Sequence, residues 1–430
     1  MAKQLPLVAR WLSSCLMILL AAAGGTHADQ PASGLPALRE NSCVDCHRDL
    51  DAGETKGPTL SIEHDIHATK GLGCQACHGG DPTIPDEEAM DPARGFIGRP
   101  APAEIPDFCG RCHSDPAYMR SFNPGIPVDQ VQKYWTSHHG QRLEAGNVKV
   151  ATCVSCHAVH DIRPADDRRS SVHPINLPET CGACHADPAV MAGSSLPTNQ
   201  LELFRESVHG RALLEKGEIG SPSCNDCHGN HAAMPPDVSR LSRVCGLCHV
   251  QNLALFQESV HAGAFAENDL PECEACHGNH GIKPTSDDQV GDQEGAVCLD
   301  CHSPDDGTAG LTTAAAMHKA LVELKERQAA AEADLHEVEV KGMVVTDAFF
   351  DLADARQQLI KARTQVHAFD ADLVLAETSA GIELVVKAEK IAANAREQYG
   401  FRRNGLGLST LVLTVVVVLL AVKIRRIERG

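Results

Sequence analysis

The pattern C-x-x-C-H occurs nine times between residues 43 and 302 and uses eighteen of the 19 cysteines. Two thiols three residues apart lie on one side of a short helical turn, where they can bond to the two vinyl groups of one porphyrin. The next residue then presents its imidazole to the iron as the proximal ligand. The sequence therefore predicts nine covalently bound haem c groups.

These motifs supply both kinds of protein–haem bond. The predicted thioether cysteines are Cys43, Cys46, Cys74, Cys77, Cys109, Cys112, Cys153, Cys156, Cys181, Cys184, Cys224, Cys227, Cys245, Cys248, Cys273, Cys276, Cys298 and Cys301. The predicted proximal iron ligands are His47, His78, His113, His157, His185, His228, His249, His277 and His302.

Two other uses of paired cysteines explain the pattern less well. Zinc ribbons also contain C-x-x-C pairs, but zinc coordination does not require a histidine after every pair. A disulfide framework likewise gives the histidines no role. The sequence therefore favours covalent haem over both, and only Cys15 falls outside the motifs.

A haem iron with one histidine keeps an open axial position, which a second histidine can occupy. Histidines recur in S-x-H segments upstream of the motifs and at the third position past a proximal histidine, while "SIEHDIH" at 61–67 holds two more. The candidate distal ligands are His64, His67, His139, His160, His173, His209, His231, His261, His280 and His318. His138 and His367 lie outside the repeated positions and are weaker candidates than these ten. His336 is predicted to lie on a solvated helix face.

The eight motifs after the first form four doublets with similar amino-acid sequences. "CGRCHSDPAYM" at 109 resembles "CGACHADPAVM" at 181, and "CNDCHGNH" at 224 resembles "CEACHGNH" at 273. Such self-similarity indicates an array built by duplication. The doublets are Cys74 with Cys109, Cys153 with Cys181, Cys224 with Cys245, and Cys273 with Cys298.

The N-terminus has the features of an export signal over residues 1–28. Lys3 and Arg10 precede or flank an apolar run, Leu16–Ala23, and "THA" before Asp29 is a plausible cleavage site. Export agrees with the predicted cofactor, because haem c is attached outside the bacterial cytoplasmic membrane.

The net charge is −19, and removing the +2 of the signal segment and the +3 of residues 423–430 leaves −24 for the exported part. Such a domain repels nucleic acid, so we expect redox protein partners with basic docking faces, or a membrane quinone-linked complex. Aromatic residues make up only 3% of the chain, too few for an ordinary core of this size. Buried haems can take that place.

Composition changes sharply after Pro304, since all 24 prolines precede residue 305. We predict a loop-rich nonahaem domain over 29–310 and a helical stalk or bundle over 311–404. Helices are expected near 312–341, 346–368 and 371–399, broken at Gly342 and around Asp370. Leu321, Leu324, Ala331, Leu335 and Val338 fit one helical face. This segment is either a spacer or coiled-coil stalk, or packs against the last haems or a dimer partner.

Residues 406–422 contain no charge and would span about 26 Å as a helix, enough for one membrane crossing. We predict a transmembrane helix over 405–423 and a cytoplasmic tail over 424–430, because four cationic residues follow the span and two precede it. The haem domain would then be periplasmic, on a single-pass protein of the bacterial inner membrane. The expected fold class is mainly α and loop-rich, a haem-packed domain followed by long helices and one transmembrane helix.

The phrases "SVHG…CNDCHGNH" and "CVSCHAVHDIRPADD…LPETCGACH" resemble the multihaem c-type cytochrome superfamily. That group includes the class III tetrahaem cytochromes and the quinol-linked periplasmic cytochromes of anaerobic respiration, and "HDIH" resembles the paired distal histidines of class III. The resemblance covers roughly 43–302 and implies bis-histidine haems and electron transfer. Quinol-linked members usually carry an N-terminal anchor, whereas the anchor here is C-terminal.

Two functions remain open at this level. The first is an electron conduit of a respiratory chain, with no catalytic residues. The alternative is a catalytic multihaem oxidoreductase of the nitrite, hydroxylamine or tetrathionate type. The alternative needs one iron with an open position, and no motif replaces its histidine with the lysine that marks the catalytic haem of pentahaem nitrite reductases. The helical part could also serve assembly with another polypeptide of a membrane complex.

Overall fold

The computed structural model describes residues 35–39, 41–49, 56–236 and 241–430. The predicted signal peptide, residues 1–28, lies outside the described residues. Within those ranges the chain forms helices and loops without a β-strand, as the fold class predicted. The chain divides into two compact units, the first ending at His173 and the second spanning Pro174–Gly430. The boundaries predicted at 310/311 and 404/405 remain predictions.

The first unit is built from short helices joined by loops. Its α-helices are α1 (Ser42–Asp49), α2 (Lys56–Ser61), α3 (Ile66–Thr69), α4 (Cys74–His78), α5 (Ile105–His113), α6 (Pro116–Arg120), α7 (Gln130–Thr136), α8 (His138–Glu144) and α9 (Cys153–His157). Turns of 3₁₀ helix cover Pro36–Leu38, Ile62–His64, Glu87–Met90, Pro92–Arg94 and Pro102–Glu104.

The second unit begins in the same style and ends in three long helices. Its α-helices are α10 (Leu177–His185), α11 (Gln200–Glu206), α12 (Val208–Leu214), α13 (Cys224–His228), α14 (Leu241–Cys245), α15 (Val250–Glu258), α16 (Val260–Glu267), α17 (Glu272–His277), α18 (Gly310–Val340), α19 (Thr346–Gln365) and α20 (Ala371–Arg429). Turns of 3₁₀ helix cover Asp287–Gln289, Val297–Asp300 and Val366–Ala368.

The three long helices pack side by side as an antiparallel bundle. The five residues predicted on one helical face of α18 are all buried, none more than 1% exposed. They meet small residues such as Ala355 of α19 and Ala388 of α20, which let the helix axes approach closely. The predicted helix breaks are also confirmed: Gly342 has a φ of +82°, and Asp370 caps α20 by accepting from the Asp372 amide.

One end of the bundle is tied to the loop after α17 through Asp287. Its carboxylate is 3% exposed and accepts two hydrogen bonds from the Arg363 guanidinium, at 2.7 and 2.8 Å. Lys325 lies 3.5 Å from the same carboxylate. Of the two alternatives for the helical segment, these contacts favour packing against the last C-x-x-C-H segments.

Helix α20 continues past the bundle, from residue 401 to Arg429, as one unbroken helix. Its first part, Ala371 to Gly400, is about 45 Å long and packs on α18 and α19. The apolar part that follows is exposed, and by length and composition this helix could cross a membrane. The predicted span, 405–423, lies inside this helix.

Candidate haem sites

Seven of the nine C-x-x-C-H motifs lie entirely within α-helices, whereas the motifs that begin at Cys245 and Cys298 leave the helical turn before their histidine. Helices α4, α9 and α13 each begin at the first cysteine of a motif and end at its histidine. The eighteen motif cysteines, all within the described residues, are not paired as disulfides. This geometry is the one that attachment of both thiols to one porphyrin requires.

In the first unit, cysteines of consecutive motifs are neighbours. Burial raises the pKa of Cys74 to about 11, and the nearby Cys43 adds to the rise. Burial likewise raises the pKa of Cys77, and the nearby Cys112 adds to the rise. The Cys109 and Cys153 thiols are hydrogen-bond partners. Each of the four motifs from residue 43 to residue 157 therefore lies next in space to the motif that follows it in the sequence.

The second unit repeats this arrangement with its five motifs. The Cys224 thiol is a hydrogen-bond partner of Cys181, and the Cys245 thiol of Cys273. Burial raises the pKa of Cys276 to about 11, with a further contribution from its neighbour in the next motif, Cys298. Cys227 lies near Cys245 in the same way. Motif order along the chain is again motif order in space.

Several proximal histidines face a second histidine ring. In the first unit the ring centres of His78 and His160 are 6.1 Å apart, and those of His113 and His67 are 5.9 Å apart. A metal–imidazole bond of about 2 Å on each side, plus roughly 1 Å from nitrogen to ring centre, puts two axial ligands about 6 Å apart. These spacings fit one iron between each pair of rings.

The described residues of the second unit include four such pairs. Their ring-centre separations all lie between 5.9 and 6.3 Å. The pairs are His209 with His249, His228 with His280, His261 with His302, and His277 with His367. The residues present therefore fit haem iron at six motifs, with an imidazole on each side.

Hydrogen bonds at Nδ1 orient several of these rings. His78 Nδ1 lies 2.8 Å from the Gly98 carbonyl, and His67 Nδ1 lies 2.9 Å from the Asp65 carboxylate. His302 Nδ1 lies 2.9 Å from Asp306. An Nδ1–H that donates to an oxygen leaves the Nε2 lone pair available to a metal.

Burial also keeps distal candidates in the neutral form that binds iron. It lowers the pKa of His160, His209 and His280, and in each case the facing imidazole lowers it further. A neutral imidazole offers a lone pair, whereas an imidazolium does not.

The serine of S-x-H explains how the upstream histidine is positioned. Ser207 caps α12 by accepting from the Gly210 amide at 3.0 Å, and its hydroxyl donates to the Phe204 carbonyl at 2.6 Å. Ser137 makes the equivalent bonds at the start of α8. Each serine thus holds a tight corner between two helices, and the histidine two residues on lies in the first turn of the second helix.

A backbone hydrogen bond joins two segments that each carry a candidate distal histidine. The Ile66 amide donates to the Ile162 carbonyl at 2.8 Å, next to His67 and His160. Buried Asp65 reinforces this contact by accepting from the Ile162 amide at 2.8 Å. In the second unit the Val208 amide donates to the Ile282 carbonyl at 2.9 Å, next to His209 and His280. The same local design therefore serves both units.

The other predicted ligands stay predictions. His64 is exposed at the end of a 3₁₀ turn, and His173 is buried. His318 Nδ1 lies 2.9 Å from the Asp287 carbonyl. It remains to be tested which ring faces each of His47, His157 and His185. It also remains to be tested which iron His139 and His231 would bind. His336 is exposed beside Glu339, as predicted.

Sequence reasoning undervalued one histidine, His367. It belongs to no repeat and lies between two long helices, so composition places it in the bundle rather than at a haem site. The only sequence signal was its position at a predicted helix break, where a side chain can leave the bundle surface.

A family model described as cytochrome c3 matches residues 66–186. The matched segment contains four C-x-x-C-H motifs, from Cys74 to His185, together with His67 and His160. This match supports a multihaem cytochrome with covalently bound haem c. No curated protein and no solved structure gives a significant match to the chain.

Proposed function

We propose that this chain is a membrane-anchored periplasmic nonahaem c-type cytochrome that relays electrons in a respiratory chain. The observation that carries the proposal is the set of six proximal histidines, each facing a second imidazole at 5.9–6.3 Å. Bound haem supplies an iron couple that exchanges single electrons.

The protein's own residues hold and enclose that cofactor. Motif cysteines would anchor it, proximal histidines would ligate its iron, and distal histidines would act as second ligands that leave no room for a substrate. Neighbouring motifs follow one another in chain order within each unit, which supports a relay rather than isolated centres.

If the apolar segment of α20 crosses the membrane, the rest of α20 holds the bundle and its haem sites outside the bilayer. About 45 Å of α20 separates its corner with α19 from the end of the bundle at Gly400, before the apolar segment begins. A donor or acceptor therefore docks on an acidic domain outside the bilayer, which favours soluble or peripheral partners with basic faces. A quinone-linked complex would have to reach that domain through its own periplasmic part.

Spectroscopy of the purified holoprotein tests the proposal. Peptide mass mapping should find haem on all nine motifs, and electron paramagnetic resonance should find only low-spin iron. Neither nitrite nor hydroxylamine should change the visible spectrum. A His280→Ala variant is the positive control, because it should open one site in nine at the Cys224/Cys227 haem and show that the assay detects it.

The two functions predict different results. A high-spin haem in the wild-type protein that shifts on adding nitrite or hydroxylamine would favour the catalytic alternative. Motifs without haem would reject the nonahaem assignment itself.

A further inference from the structure

We propose that His367, at the corner between α19 and α20, is the distal ligand of the iron bound at Cys273 and Cys276. The inference rests on the proposed function, since it assumes haem at that motif. It makes the helical bundle part of the haem-binding apparatus rather than a spacer.

The repeat explains why this motif needs a ligand from elsewhere. His78 is faced by His160, which follows a motif of the next doublet, and His228 is faced by His280 in the same way. His277 belongs to the last doublet, so no later repeat can supply the equivalent histidine. Terminal units of repeat arrays are typically completed by a different structure.

The geometry at His367 matches that of the repeat-derived pairs. Its ring centre lies 6.1 Å from that of His277, with 26° between the ring planes. Its Nδ1 lies 3.0 Å from the Thr364 carbonyl, so an Nδ1–H can donate there and leave the Nε2 lone pair available. The Asn252 amide is almost equally far from both ring nitrogens, at 3.2 and 3.3 Å, and so is not in line with the Nε2 lone pair.

The corner itself is built to reach the haem sites. Residues Val366–Ala368 form a 3₁₀ turn, and Phe369 takes a left-handed φ of +52°. The Phe369 ring packs on His261 at 3.8 Å between centres, and His261 faces His302 of the last motif. One corner therefore contacts the candidate ligands of the last two motifs.

The bundle holds this corner in place. Helix α15 contacts both the corner and α19. Arg363, one helical turn before His367, is fixed by its two hydrogen bonds to Asp287. His367 is thus presented from a rigid support, as a ligand position requires.

His318 is the rival ligand on the same bundle. Its Nδ1 also lies 2.9 Å from a carbonyl, that of Asp287, so the hydrogen bond alone does not distinguish the two. The distinguishing feature is the facing ring: His277 opposes His367, whereas in the described part of the chain no proximal ring is seen opposite His318.

Matched variants of the two bundle histidines test the inference in the full-length holoprotein. His367→Ala should leave haem on all nine motifs while one ninth of the iron becomes high-spin, and added imidazole should restore the low-spin spectrum. His318→Ala should remain entirely low-spin. His367→Met should give one haem with histidine–methionine ligation and a raised potential, since methionine ligation raises the potential of haem iron.

The outcomes separate this inference from the proposed function. Haem missing from the Cys273/Cys276 peptide of the wild-type protein would refute the proposed function at that site. Nine haems that all stay low-spin in His367→Ala would overturn the inference and leave the function standing. Should the alanine variant fail to accumulate, an unchanged spectrum and potential in His367→Met would overturn the inference equally.

Discussion

At the scale of single residues, the turn after the proximal histidine constrains side-chain choice. Gly79, Gly229 and Gly278 follow three proximal histidines with φ between 70° and 78°. Ala158 occupies the equivalent position with a φ of +63° and a ψ of −172°. That region is nearly exclusive to glycine, because a β-carbon clashes with the backbone there.

We expect Ala158→Gly to stabilise the holoprotein by about 1 kcal/mol. Relief of roughly 1–3 kcal/mol of backbone strain is partly offset by the greater unfolded-state entropy of glycine. The free energy of unfolding, from denaturant titration in detergent, measures the effect.

Ala186→Gly is the matched control for that substitution. Ala186 also follows a proximal histidine but has a φ of −98°, so glycine gains nothing there and should destabilise. Equal losses at both positions would mean that Ala158 is not strained.

At the scale of elements, Asp287 joins a loop of the haem-motif region to two bundle helices. Hydrogen bonds from Arg363 hold the pKa of the Asp287 carboxyl below its usual value, and the nearby Lys325 charge adds to the effect, although burial opposes it. The folded state therefore favours the ionised carboxylate, and its contribution to stability is present above the unfolded pKa of about 4.

We expect Asp287→Asn to lower the free energy of unfolding by about 1–3 kcal/mol at pH 7, because the Arg363 guanidinium loses a charged partner in a buried site. Below pH 4 the wild-type carboxyl becomes protonated as pH falls through its folded pKa, so the difference between the two proteins should shrink. Urea unfolding at pH 7 and pH 3 measures both effects.

An exposed ion pair of the same bundle supplies the control. Asp334 is half exposed and pairs with Arg396, so Asp334→Asn should change stability little at either pH. A loss for Asp287→Asn that is the same at pH 7 and pH 3 would show that its carboxylate charge does not stabilise the contact.

At the scale of the whole molecule, charge should govern association. Residues 29–422 carry a net charge of −24. Long-range attraction steers a basic partner toward such a surface and weakens as the Debye length falls with added salt.

We expect the second-order rate of electron exchange with a basic c-type cytochrome to fall at least tenfold as ionic strength rises from about 10 to 200 mM. The rate with an anionic acceptor such as ferricyanide should rise over the same range, and a neutral mediator should be nearly insensitive. Stopped-flow measurement of all three provides the comparison. A common salt response for the two charged acceptors would argue against electrostatic steering.

The sequence by itself determined the features that depend on local spacing. Cysteines at i and i+3 with a histidine at i+4 predict haem attachment and proximal ligation, because these spacings lie on one side of a helical turn. The 3.6-residue periodicity of Leu321, Leu324 and Leu335 likewise marked the buried face of α18, and Gly342 and Asp370 marked the breaks between the three long helices.

Only the tertiary structure decided which histidines face each other. A distal imidazole comes from a distant part of the chain, so its pairing depends on packing, as His160 with His78 and His367 with His277 illustrate. The sequence repeats narrowed the choice of distal histidine wherever one motif doublet was followed by another. After the last doublet no further repeat could supply a histidine to face His277. The α19–α20 corner supplies His367 instead, because long-range contacts of the bundle with α15 and Asp287 hold that corner beside His277.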